Sequence, residues 1–174
     1  NYNGGNYWYM SYWRPVTGAV TTPYQWWFLG AYGGCNGLWG PEENLIDIYE
    51  QSMEDGNIAY AGAARVIRAY GMMTMTDLYG EMPYTEATKG SGVGGMYRFL
   101  PEDAHLAQYD TGRTIFMGCI DDLEKAIELL EKAKIEKSSH PSLAQGDWWN
   151  QGDLDKWIKL AYFLKARWLN HLIK

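Results

Sequence analysis

Positive charge is scarce in this chain, and so are cysteine and histidine. The 174 residues carry 15 Lys and Arg against 21 Asp and Glu, for a net charge of −6. That balance argues against a nucleic-acid partner, because phosphate recognition needs a basic patch, and an anionic membrane surface is disfavoured likewise. The 2 cysteines, Cys35 and Cys119, are far apart and have no metal-ligand spacing. A disulfide between them stays open, but Cys119 falls on the apolar face of a helix and reads as a small buried hydrophobe. Of the 3 histidines, His105 and His140 fall in loops with no Cys, Asp or Glu at ligand spacing. His171 falls near the end of a helix, where positive charge suits the dipole, and no nucleophile–base–orienter set is visible. No apolar run reaches 18 residues, so no spanning helix is expected. Charge of either sign is almost missing from residues 1–40, where Arg14 stands alone.

What fills that segment is aromatic. Tyr2, Tyr7, Trp8, Tyr9, Tyr12, Trp13, Tyr24, Trp26, Trp27, Phe28, Tyr32 and Trp39 stand among Gly and Asn. Helical periodicity is poor there, so residues 1–40 read as irregular backbone with one short helix near 24–32. Disorder goes with few aromatics and high net charge, the opposite of this composition.

From residue 41 onward the periodicity is helical. Pro41, Glu42 and Glu43 suit a helix N-terminus, and the helix runs to about Glu54 with Leu45, Ile48, Tyr49 and Met53 on one face. A second helix spans about Asn57 to Leu78, with a stripe of Ala59, Gly62, Ala63, Val66, Tyr70 and Met73 that is small at one end. Small residues there permit a close helix–helix approach. The third runs from about Thr111 to Ala133, capped by Asp110 or Thr111. Its Ile115, Phe116, Cys119, Ile120, Leu123, Ile127 and Leu130 recur at i, i+3 and i+4. The fourth starts with Asp153 as its cap and carries Leu154, Trp157, Leu160, Ala161, Leu164, Trp168 and Leu172 on its apolar face. Loops of residues 83–108 and 138–152 separate these elements. The fold expected is all-α, with TPR-like helical pairs, long inserted loops and an aromatic, irregular N-terminal segment. A chain of this length can bury roughly two-thirds of its unfolded surface.

Few motifs suggest covalent chemistry. The Gly-rich piece Lys89-Gly-Ser-Gly-Val-Gly-Gly95 has its Lys before the glycines and no strand ahead of it, so it reads as a loop and not a phosphate cradle. Glu42 with Glu43, Asp121 with Asp122, and Glu81 with Glu86 are the carboxylate pairs. A glycosidase needs one acid kept protonated opposite an ionised partner, whereas these sit at a helix start, on an exposed helix face and in a turn. No catalytic residue, metal or cofactor is expected.

The tryptophans outside clear helix-core positions are the candidates for binding: Trp8, Trp13, Trp26, Trp27, Trp39, Trp148 and Trp149. Indole faces stack on the C–H faces of sugar rings, although burial is the more frequent fate of any single Trp. The adjacent pairs Trp26-Trp27 and Trp148-Trp149 cannot easily both point inward, which leaves at least one of each for a surface.

Three blocks carry a family resemblance. The helix ending in Tyr79-Gly-Glu-Met-Pro-Tyr-Thr-Glu-Ala87 comes first. Tyr109-Asp-Thr-Gly-Arg-Thr-Ile-Phe follows, then Gly152-Asp-Leu-Asp-Lys-Trp157 with Ala161-Tyr-Phe-Leu-Lys-Ala-Arg167. In this order and over roughly residues 45–174 they resemble the SusD/RagB family of outer-membrane nutrient-binding lipoproteins. The resemblance implies that residues 1–174 are a single helical domain or a fragment of a larger SusD-like protein. It implies a non-enzymatic protein on the extracellular face of the outer membrane, lipid-anchored through a Cys not present in this chain. Its partners would be an oligosaccharide, a SusC-like TonB-dependent transporter and the remainder of the SusD-like chain. Capture of a peptide, or a TPR-like protein–protein scaffold, are the alternatives. No binding residue is carried over from the family, because its ligand residues lie in variable loops.

Overall fold

A computed structural model describes residues 41–86, 108–136 and 142–172. Trp8, Trp13, Trp26, Trp27 and Trp39 lie outside the described residues, as do the helix expected near 24–32, Cys35, the Gly-rich loop, His105 and His140. Contacts divide the chain into two compact units, Asn1–Asn44 with Pro83–Tyr109 and Leu45–Met82 with Asp110–Lys174. Most described residues belong to the second. The described secondary structure is α1 (Pro41–Glu54), α2 (Ile58–Tyr79), α3 (Gly112–Glu136), a 3-10 turn (Leu143–Gln145) and α4 (Leu154–His171). The all-α expectation holds, with one isolated antiparallel bridge between Met82 and Asp110.

Helices α2 and α3 form the centre of the second unit, and α4 packs on α3 and, over a shorter stretch, on α2. The first two run antiparallel. Gly62 near the start of α2 faces Leu130 and Ala126 late in α3, while Gly80 after α2 meets Gly112 at the start of α3. At Gly62 a Cβ would lie 2.7 Å from Leu130 Cγ, so the small end of the α2 stripe is what lets the two helices close together. Burial on α2 extends beyond the expected stripe: Ala61, Ala64, Ala69, Met72 and Met75 are also buried. A helix apolar on most sides belongs at the centre of its domain.

On α3 the 3.6-residue pattern translates directly into burial. Ile115, Cys119, Ile120, Leu123 and Leu130 are buried, with Ala126 and Ala133 completing the face, while Phe116 and Ile127 lie at its edge, half-buried. Thr111 caps the helix, its hydroxyl accepting from the Thr114 amide at 3.2 Å. The α4 face is formed by Trp157, Ile158, Ala161, Leu164 and Trp168, and Tyr70 of α2 meets the Trp168 ring edge-on at 6.1 Å between centroids. As expected, Asp153 caps α4, accepting from the Lys156 amide at 3.1 Å.

Three expectations need correction. Ile48 and Met53 of α1 are exposed, because that helix turns Leu45, Tyr49 and Ser52 inward. Leu172 is exposed just past the end of α4, where the helical register no longer carries it onto the core. Asp122, expected with Asp121 on an exposed helix face, is only 4% exposed. Its two carboxylate oxygens accept from Arg65 and Arg68 of α2, the second at 2.8 Å, and the Arg65 guanidinium lies 4.1 Å from the centre of the Tyr49 ring. Two arginines one turn apart on one helix thus hold a single buried carboxylate on the next. Asp121, one residue earlier, does face water, with Lys125 at 2.6 Å.

Two outcomes are expected in chemical denaturation. Leu123→Ala should lower stability by about 2–5 kcal/mol, the cost of an unfilled core cavity. Asp122→Ala should cost on the order of 3–5 kcal/mol, since it leaves two guanidinium groups facing each other without their carboxylate. An Asp122→Ala variant as stable as the parent would show that the arginines find water instead.

Candidate functional site

The described tryptophans divide into two pairs with opposite environments. Trp157 and Trp168 are core residues, 2% and 1% exposed, whereas Trp148 and Trp149 are 92% and 60% exposed. The second pair lies in the connection between α3 and α4. Ser142 caps the 3-10 turn by accepting from the Ala144 amide at 3.3 Å, and Leu143 anchors it in the core. Tyr60 of α2 donates its hydroxyl proton to the Ser142 carbonyl at 3.1 Å. A further turn, residues 147–152, then carries the chain to the α4 cap.

Asp147 organises that turn. One carboxylate oxygen accepts from the amides of Trp149 and Asn150, both at 2.9 Å. The other accepts from the Gly152 amide at 2.9 Å and from the Trp157 indole N–H at 2.6 Å. Four donors on one carboxylate stabilise its charged form. Partial burial pushes the Asp147 carboxyl up. The amides of Asn150 and Gly152, the Trp157 indole and the Trp149 amide together outweigh that and hold it below its ordinary value of 3.8.

The backbone between is shaped by two consecutive left-handed residues, Gln151 at φ 56° and Gly152 at φ 77°. Gly152 has no substitute here, because a Cβ would sit 2.6 Å from the Ala144 nitrogen. Gln151 holds a conformation uncommon for a residue with a side chain, and its amide donates to the Asp147 carbonyl at 3.2 Å. The Trp149 ring stacks on Trp157, with 6.1 Å between centroids and 22° between planes. One face of Trp149 is therefore fixed on the core, and Trp148 beside it stands in solvent.

Asp147 was not singled out by sequence, since a lone Asp in a polar loop looks unremarkable. The available signal was its spacing to Gly152 at i+5 and Trp157 at i+10, the two donors that share one oxygen. Around the loop the ionic side chains are paired: Lys134 reaches Asp155 at 2.5 Å and Lys156 reaches Asp153 at 3.7 Å. The hydrogen bond from Lys134 holds the Asp155 carboxyl below its usual range. Among the described residues no cluster of His, Cys, Asp and Glu could hold a metal ion.

The first sequence block has a structural role. Gly80 ends α2, its amide donating to the Thr76 carbonyl at 2.8 Å; Met82 is fully buried and its carbonyl accepts from the Asp110 amide at 3.0 Å. In the first unit the Glu86 carboxylate accepts from the Gln108 amide at 2.9 Å. The turn wording thus pins the entry to α3, and its Glu86 carboxylate is tied to the backbone.

The model of the SusD-like family described as starch-binding and associating with outer membrane matches residues 7–173. This chain belongs to that family. A solved SusD/RagB family protein from Bacteroides thetaiotaomicron VPI-5482 has a similar fold, with a TM-score of 0.61 and 29% sequence identity. The match covers 76% of this SusD-like chain and 24% of that one, so the chain spans about a quarter of the length of its structural relative. No curated protein matches it. No described helix is long and apolar enough to cross a membrane.

The pH dependence of the loop follows from Asp147. Its folded carboxyl is depressed, so the stabilisation it contributes is present above the unfolded value and lost as pH falls through the folded one. Near-ultraviolet circular dichroism of the indoles should change as acid is added below about pH 4, ahead of the far-ultraviolet helical signal. In Asp147→Asn that early transition should be absent. Coincident loss of both signals in the parent would mean the loop has no separate titration.

Proposed function

We propose that this SusD-like protein captures oligosaccharide nutrient at the extracellular face of the outer membrane and passes it, chemically unchanged, to a SusC-like TonB-dependent transporter. Lipid anchoring and TPR-like pairing of the helices belong to the same reading. The observation that carries it is the match over nearly the whole chain to a family described as starch-binding and associating with outer membrane. Two features of the chain support it. Aromatic side chains are abundant, with 9 Trp and 14 Tyr, and Trp148 and Trp149 are displayed in water on an all-α scaffold. Stacking on indole supplies contact area without demanding charge on the ligand, which suits neutral glycans. Three of the carboxylates that could suggest hydrolysis are engaged otherwise: Asp122 is held by two arginines, Asp121 by Lys125, and Glu86 by a backbone amide.

A protein-binding scaffold is the second reading, favoured by Tyr162, Phe163 and Leu169 on the outward side of α4, which are 56%, 61% and 41% exposed. Calorimetric titration of the intact protein with malto-oligosaccharides and a panel of other neutral glycans separates the two. Saturable binding of at least one glycan is expected, with its chain length unaltered after prolonged incubation. Shortened products would convert the reading to an enzyme, and silence across the panel would leave the scaffold.

A further inference from the structure

We infer that the loop of residues 147–152 is itself a glycan subsite, in which Trp148 and Trp149 form a prearranged platform for the apolar faces of uncharged pyranose rings. The inference rests on the reading proposed above and adds to it a location and a ligand charge.

Trp148 is the starting point. At 92% exposed it contributes almost nothing to the core, and the indole packed in the core beneath the loop is that of Trp157. A large apolar ring left in water on a disordered tip would mean little. Here the main chain beneath it is fixed on both sides. The Asp147 carboxylate holds the amides of Trp149, Asn150 and Gly152, and the Tyr60 hydroxyl holds the preceding turn. Gln151 is kept in a left-handed conformation, and such uncommon backbone concentrates at functional sites. A ligand meeting this loop therefore has little backbone to order, which removes part of the entropic cost of binding.

The two indoles play different parts. Trp149 has one face on Trp157 and cannot rotate away without giving up that stack. Trp148 has only its neighbours to restrain it and can adjust to the ring it meets. Both are open to solvent, which suits rings within an extended chain and not an enclosed chain end. Gln151, exposed within three residues of Trp148, supplies an amide that can both donate to and accept from sugar hydroxyls.

The charge of the ligand follows from the surroundings. The loop itself carries one anion, Asp147, and no cation. The nearby lysines, Lys134 and Lys156, are engaged with Asp155 and Asp153. A uronate or sulfated glycan would meet the Asp147 carboxylate in the loop and no cation within residues 147–152, on a chain whose net charge is −6. Neutral hexose and pentose polymers meet no such penalty.

The test uses the intact protein, with maltoheptaose, cellohexaose and xylohexaose as neutral probes and a galacturonate heptamer as the anionic one. Affinities are read by calorimetry and folding by thermal melts. Trp148→Ala should melt like the parent and bind the neutral glycans about ten-fold or more weakly, as expected on losing an aromatic hot spot. Trp148→Phe should recover part of that loss. Asp147→Asn should weaken the same glycans although Asp147 touches none of them, and should also remove the ligand-induced change in tryptophan fluorescence. The galacturonate heptamer should bind more weakly than every neutral glycan that binds. If the parent binds a neutral glycan and Trp148→Ala binds it equally well, the subsite lies elsewhere and only the proposed function survives. Failure of the parent to bind any probe would overturn both. Preference for galacturonate would overturn the charge assignment.

Discussion

The close approach of α2 and α3 is the constraint on which the rest of the described structure depends. At Gly62 there is no room for a methyl group between the helices, and the interval is set by the Leu130 side chain. Once the helices are held that near and antiparallel, Arg65 and Arg68, one and two turns further along α2, come level with Asp122 on α3. The ion cluster is therefore a consequence of the spacing as much as a cause of it. A buried carboxylate between two arginines contributes little net stability over an apolar replacement, yet it penalises any register that separates the three. The steric contact brings the helices together and the ionic one fixes how far they slide.

Much of this architecture was legible in the chain. The third helix declared itself because seven apolar side chains recur at helical spacing, and burial follows that pattern almost residue by residue. Asp153 and Thr111 were readable as caps because their chemistry is local. The errors lie where the outcome depends on another element. Asp122 looks like a solvated acid unless one knows that two arginines 54 and 57 positions away face it. Ile48 and Met53 fit a helical template, but Ser52 and Tyr49 lie on the side that α1 turns inward, and periodicity alone cannot choose between faces separated by one residue.

The loop shows the same division. Adjacent tryptophans announce that at least one must face outward, and sequence carries the reading that far. What it could not show is the frame beneath them. Asp147 gathers donors from three backbone amides and one indole ten residues ahead, and backbone amides have no letter in the sequence.

That frame has an evolutionary corollary. Because Asp147 grips main-chain N–H groups and the Trp157 ring, it makes no demand on the side chain at position 148. The loop works as a socket: its contents can be exchanged without disturbing the helices that carry it. A lineage could thus retune what this edge of the protein touches by single substitutions at 148, leaving the folding of α3 and α4 to selection of its own.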